Sequence, residues 1–199
     1  RGSDIIGRAP TGTGKTFGFG LPIIDKIASV DEGADGRPQA LILVPTRELG
    51  LQVARDLEDA GKTRSIRVLP IYGGRAYEPQ IEALRTGVDI IVGTPGRLLD
   101  LYKSKHLRLD RIAHCVLDEA DRMLDLGFSE DVDRILKLLP EQRQTMLFSA
   151  TMPDTIMSRA VVVRMRRRAP DEQVRDYRER TTTPEGHALR DRLAAWADA

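Results

Sequence analysis

The sequence predicts an α/β fold: a parallel sheet with helices on both faces. Three observations carry that expectation. Short apolar runs rich in β-branched residues recur along the chain, at 5–6, 40–44, 66–69, 89–92, 112–117 and 145–148. Segments with helical spacing separate them, at about 15–28, 47–61, 78–85, 95–103, 119–125 and 130–138. The runs are apolar almost without interruption, as strands covered on both faces are. Strand and helix in strict alternation call for parallel pairing with crossover connections. In such sheets ligands sit outside the C-terminal strand ends, so the loops that follow strands are where chemistry is expected.

The first such loop is Ala9-Pro10-Thr11-Gly12-Thr13-Gly14-Lys15-Thr16, between a short strand and a helix. Glycines allow backbone N–H groups to converge on a polyphosphate, and the helix N-terminus adds positive potential. Lys15 is placed to reach the β- and γ-phosphates of a nucleotide, and the Thr16 hydroxyl to hold Mg²⁺. The strict P-loop pattern asks for Gly where this chain has Ala9, so the match rests on Gly12 and Gly14-Lys15-Thr16. The alternative is a Gly-rich turn with an incidental lysine.

The polar, Gly-rich stretch 31–38 reads as a surface loop without a function. Cys115 is the only cysteine, which excludes an internal disulfide and a multi-cysteine metal site; within an apolar run it reads as a small buried hydrophobe. His106, His114 and His187 have no metal-ligand spacing and read as structural or solvated.

The fifth run ends in Asp118-Glu119-Ala120-Asp121. A carboxylate at a strand end beside a phosphate loop can hold the Mg²⁺ shell, and its neighbour can orient and deprotonate an attacking water. Asp118 and Glu119 are the candidates for those roles. The alternative is an acidic helix start that complements the helix dipole.

The chain has 199 residues, 41% of them apolar, and a formal net charge of +1. That suits one domain, or one domain with an appendage, and gives no global field for nucleic acid or a membrane. No apolar stretch is long enough to span a bilayer and no leader pattern opens the chain, so a cytoplasmic protein is expected. From about residue 159 the composition changes. Residues 159–199 hold ten Arg, no Lys and seven Asp plus Glu. Two weak helices, at about 171–180 and 185–197, or disorder are equally compatible with it. The run Arg164, Arg166, Arg167, Arg168 reads as a solvated basic stretch with incidental affinity for nucleic acid.

The acidic tetrad spells the signature of the DEAD-box RNA helicases, and further landmarks follow that family's order. Its first motif itself carries Ala where the strict P-loop has Gly, as Ala9 does here. Pro45-Thr46-Arg47-Glu48-Leu49 resembles the next motif, with Gly50 where Ala is usual. Gly73-Gly74 resembles the double-glycine turn, and Thr94-Pro95-Gly96-Arg97 a further RNA-side motif. Ser149-Ala150-Thr151 is similar to the motif that links hydrolysis to strand separation. The resemblance covers about residues 4–155 and implies a RecA-like ATP-binding lobe over 1–158, with 159–199 as an Arg-rich tail.

It implies ATP and Mg²⁺ at Ala9, Thr11, Gly12, Thr13, Gly14, Lys15 and Thr16, with Thr16 and Asp118 toward the metal and Lys15, Asp118 and Glu119 in catalysis. RNA is expected along Thr46, Arg47, Gly74, Thr94, Gly96 and Arg97, through backbone contacts that do not read bases. Asp121, Ser149 and Thr151 are the expected coupling residues. Family members pair two such lobes, the second supplying arginine fingers, and no counterpart of its motifs is legible after Thr151. A truncated or frameshifted helicase lobe, or a non-catalytic nucleotide- and RNA-binding module, is therefore an open expectation; a DNA helicase or translocase is a weaker one. All of this requires the loop ending at Thr16 and the acidic pair beginning at Asp118 to meet in space.

Overall fold

The computed structural model describes residues 3–9, 13–152 and 156. The tail expected over 159–199 lies outside them, as do Thr11 and Gly12.

Six strands form one sheet: β1 (Ile5–Arg8), β2 (Ala40–Leu43), β3 (Val68–Ile71), β4 (Ile90–Gly93), β5 (His114–Leu117) and β6 (Gln144–Ser149). Their order across the sheet is β1-β6-β5-β2-β4-β3, and every pairing is parallel. Among the described residues six α-helices accompany them: α1 (Lys15–Lys26), α2 (Arg47–Gly61), α3 (Glu78–Thr86), α4 (Pro95–Lys103), α5 (Ala120–Asp125) and α6 (Ser129–Leu138). Single 3₁₀ turns occupy Val30–Glu32 and Lys62–Arg64.

Alternate residues of each strand feed opposite faces. Ala40, Ile42, Val44, Ile90, Val92, Val116, Met146 and Phe148 meet α1 and α2 through Phe19, Ile23, Ile24, Val53 and Leu57. Leu41, Leu43, Ile91, Cys115, Leu117 and Leu147 meet α4, α5 and α6 through Leu98, Leu101, Met123, Val132 and Ile135. Burial on both sides is why these strands read as unbroken apolar runs. Helix α1 approaches α2 closely at Gly20, where a Cβ would stand 2.3 Å from Leu57 Cδ2. That closeness seats α1, and with it Lys15, against the sheet.

The elements follow the sequence expectation, with shifted ends. The third strand was expected over 66–69 and runs Val68–Ile71. Ile66 is buried, but its N–H is bonded to Gly61 O at the exit of α2 rather than in the ladder. Pro70, a breaker in a central strand, is tolerated because β3 is an edge. The fifth strand begins at His114, not at 112, and α1 stops at Lys26, two residues before the expected end.

One buried ion pair was not anticipated. Asp89 is fully buried just before β4. It receives Arg67 N–H at 2.8 Å, Nε at 3.2 Å and Nη2 at 3.1 Å. The Arg67 side chain remains 30% exposed. Removing the arginine strands a buried anion, which costs about 3–5 kcal/mol, whereas removing the carboxylate leaves a guanidinium that water can reach. Arg67→Met is therefore expected to lower the denaturant midpoint well beyond Asp89→Asn. Equal losses in urea titrations would contradict this ordering. Burial also pushes the Cys115 thiol up to about 12. The native protein should accordingly resist thiol reagents at neutral pH and react only on unfolding; rapid native-state labelling would show the β5 face to be open.

Candidate nucleotide and RNA site

Because every strand runs the same way, all six C-terminal ends open on one edge of the sheet. The ladder continues one step into each loop there. Ala9 N–H donates to Ser149 O at 2.9 Å, Asp118 N–H to Leu43 O at 2.9 Å, Val44 N–H to Gly93 O at 3.0 Å and Thr94 N–H to Ile71 O at 3.0 Å. These bonds fix the first loop residues, and the candidate side chains follow at once.

On the β1, β6 and β5 side, Gly14 caps α1 in the left-handed region (φ +72°), which a side chain would strain. Lys15 then turns inward. Its Nζ lies 2.9 Å from Asp118 Oδ1, with side-chain exposures of 6% and 0%. The contact is an ion pair, and Asp118 Oδ2, the oxygen facing away from it, has no hydrogen-bond partner among the described residues. Burial pushes the Asp118 carboxyl above its ordinary range, and the Glu119 charge adds to that; Lys15 and the Glu119 N–H, which donates to Oδ1 at 2.9 Å, hold it down in part. The loop and the acidic pair therefore meet, as the sequence reading required.

Glu119 is buried and adopts φ +51°, ψ +53°, in the left-handed region. For a non-glycine residue that conformation costs on the order of 1–3 kcal/mol and is held only by its surroundings. It stands where the chain passes from β5 into α5. Arg122 Nη1 stands 3.4 Å from Glu119 Oε2.

Asp121 joins α5 to the loop after β6. Its N–H donates to Ser149 Oγ at 3.1 Å. Its Oδ2 accepts from Thr151 N–H and Thr151 Oγ1, both at 2.9 Å, and its Oδ1 from Arg122 N–H at 3.0 Å. Asp121, Ser149 and Thr151, paired only by motif order in the sequence, thus form one bonded unit.

On the β2, β4 and β3 side, Thr46 caps α2, its Oγ1 accepting from Leu49 N–H at 3.3 Å. Thr94 caps α4, with Pro95 in the first turn, and its side chain makes no capping bond. A Cβ on Gly74 or Gly96 would meet nothing within 4 Å, so open space lies before both. The Arg47 guanidinium lies 4.9 Å from the Tyr72 ring centroid. Arg97 departs from the simple expectation of an exposed cation. It is 8% exposed, stacks 3.9 Å from the Tyr77 ring centroid and donates through Nη2 to Arg75 O at 2.9 Å. Its Nη1 is buried without a partner among the described residues. No local sequence signal distinguishes an arginine that organises a surface from one that offers its charge; Tyr77, three residues past Gly74, is the nearest hint.

The architecture defines a parallel α/β lobe in which a lysine at the start of α1 pairs with a strand-end aspartate. Comparison with known proteins carries this further. The family model described as DEAD/DEAH box helicase matches residues 1–158, and the chain belongs to that family. A second model, described as a protein of unknown function (DUF3631), matches residues 164–199. The chain is 52% identical over 155 residues to the DEAD-box ATP-dependent RNA helicase CshA of Streptococcus pneumoniae, covering 78% of this chain and 29% of that protein. It is 53% identical over 156 residues to CshA of Bacillus cereus, with the same coverage. It thus spans about three-tenths of the length of these curated relatives. Among solved structures it resembles a DEAD box protein from Methanococcus jannaschii (TM-score 0.73, 41% identity, 78% of this chain and 41% of that one). It also resembles a hypothetical ATP-dependent RNA helicase from Sulfolobus tokodaii (TM-score 0.70, 35% identity, 86% and 47%).

The Asp121 contacts set a pH dependence. Burial disfavours its ionised form, but the bonds from Thr151, with Ser149 and Arg122, outweigh burial and hold the carboxyl below its ordinary value. A depressed native value contributes stability that is present above the unfolded value of about 4 and is lost as pH falls through the native one. Asp121→Asn should lower Tm near neutrality and converge with the unchanged protein in acid. A constant Tm gap down to low pH would contradict the charge-based account.

Proposed function

We propose that this chain is the ATP-binding lobe of a DEAD-box RNA helicase, which couples ATP binding and hydrolysis to remodelling of RNA duplexes when a second RecA-like lobe faces it. The lobe corresponds to 1–158, with 159–199 as an Arg-rich tail. The observation that carries the reading is the buried Lys15–Asp118 contact at 2.9 Å. It brings together the cation suited to a polyphosphate and the carboxylate suited to the divalent ion that accompanies one.

The residues fit Mg²⁺. A buried, orphaned Asp118 Oδ2 and the Thr16 hydroxyl are hard oxygen donors, and Mg²⁺ takes few protein ligands beside phosphate and water. Among the described residues no group of three His, Cys, Asp or Glu offers a different, all-protein metal site. When bound, the ion neutralises charge that builds on the phosphates. Lys15 would hold phosphate oxygens and Asp118 would face the metal shell, so that each buried charge would keep a partner. Glu119 orients the attacking water and accepts its proton. Ala9, Thr11, Gly12, Thr13 and Gly14 supply the loop around the phosphates. Thr46, Arg47, Gly74, Thr94, Gly96 and Arg97 hold RNA through its phosphates and sugars, and Asp121, Ser149 and Thr151 connect the two halves of the edge. A cytoplasmic location belongs to the same reading; among the described residues no helix is long and apolar enough to cross a membrane.

A binding module without turnover is the competing reading, and the buried Glu119 carboxylate at the acidic strand end disfavours it. Lys15→Ala should abolish Mg-ATP binding in calorimetric titration, whereas Glu119→Gln should keep binding and lose turnover. Unchanged affinity in Lys15→Ala would remove the nucleotide site. Without an arginine finger from a facing lobe, phosphoryl transfer is slower by about 10³–10⁵. The 199-residue chain alone should accordingly show little RNA-stimulated ATPase and no unwinding. Robust unwinding by it would refute the two-lobe requirement.

A further inference from the structure

Next to the expected RNA surface stands a cation that no motif accounts for. Arg75 follows the Gly73-Gly74 turn, where Gly74 has φ +76° and neither glycine would bring a Cβ within 4 Å of another atom. Its backbone is pinned: Arg75 O accepts from Arg97 Nη2 at 2.9 Å, and Arg97 is held in turn by its stack on Tyr77. The side chain, in contrast, is exposed. Its guanidinium stands 6.0 Å from the Tyr72 centroid, and the Arg47 guanidinium stands 4.9 Å from the same ring.

Two cations therefore share one buried phenol ring, and a third, Arg97, is bonded to the carbonyl of Arg75. Among the described residues none of the three forms an ion pair with a carboxylate. Of the Asp100 carboxylate, Oδ2 accepts from the Tyr77 hydroxyl at 3.2 Å. A ring face offsets only part of one cation's charge, and 6.0 Å is at the outer limit of that attraction. Buried Arg97 Nη1 also lacks a partner. The cluster has donors and positive charge in excess and open space in front of it, which is the complement of a phosphodiester.

We propose that Arg75 is a further RNA-phosphate-binding residue, extending the track of Arg47 and Thr94 past the Gly74 turn. This rests on the reading of that edge as an RNA surface. The contact is to phosphate, so it adds affinity without base preference, and its signature is electrostatic. Each phosphate contact on a single strand contributes about 0.7 to the slope of log affinity against log salt.

The test is fluorescence anisotropy of the 199-residue chain with labelled single-stranded oligouridine and oligoadenosine over a salt series. Arg75→Ala should weaken both by a similar factor, about three- to tenfold at low salt, and flatten the slope by about 0.7. Arg75→Lys should restore the slope. Tm should stay unchanged in both variants, because the Arg75 side chain makes no hydrogen bond to a described residue. An unchanged slope and affinity in Arg75→Ala, with the parent chain binding RNA, overturns the proposal alone. No binding by the parent chain at any salt overturns the RNA surface and the proposal together. Loss of oligouridine binding only would make Arg75 a base contact and would overturn the phosphate assignment.

Discussion

Parallel pairing is the constraint on which the rest of this structure depends. A strand that ran the other way would carry its following loop to the opposite edge. With β1-β6-β5-β2-β4-β3 all parallel, segments as far apart in sequence as Lys15, Asp118 and Thr151 come to one rim. The backbone then fixes their positions, since Ala9, Val44, Thr94 and Asp118 each donate a final ladder bond to a neighbouring strand. The apolar faces hold the sheet, and the last ladder bonds hold the loops.

The rim is divided. The ends of β1, β6 and β5 hold Lys15, Asp118 and the bonded unit of Asp121, Ser149 and Thr151. The ends of β2, β4 and β3 hold guanidinium groups and open turns. Central β2 belongs to both halves: Leu43 O accepts from Asp118 N–H, and the next residue, Val44, donates to Gly93 O. Asp118 and Thr94 are thus joined through β2 by two consecutive ladder bonds.

Much of this was legible in the sequence because its causes are local. Doubly covered strands show as unbroken apolar runs, and the helices keep their period. The loop residues Gly14 and Lys15 and the pair Asp118-Glu119 stand out by type and spacing, and the fold brings Lys15 to Asp118. What the sequence concealed depends on register between distant segments. Ile66 looked like the start of a strand because it is apolar, yet it is buried under the end of α2, where a Cβ on Gly61 would stand 2.8 Å from its Cβ. Arg97 was expected only as a phosphate contact, and its closure by Tyr77 and by the carbonyl of Arg75 is not legible in the sequence. The pair Arg67–Asp89 is invisible until β3 lies beside β4. Glu119 gives no sign of its left-handed backbone, which follows from the turn between β5 and α5.

Stability gives no reason for the Lys15–Asp118 pair. Two charges withdrawn from water cost several kcal/mol each, and a buried pair often does no better than apolar side chains of the same size. Here the balance is poorer still, since Asp118 Oδ2 and Lys15 Nζ lack hydrogen bonds among the described residues and burial drives the carboxyl upward. The adjacent Glu119 adds backbone strain to the same turn. Buried charge without full hydrogen bonding and backbone strain, side by side at one strand end, are what a site retains when its partners arrive from outside. On the proposed reading, phosphate oxygens and a divalent ion answer both charges at once. Among the described residues, each of the two finds in the other the one opposite charge at ion-pair distance.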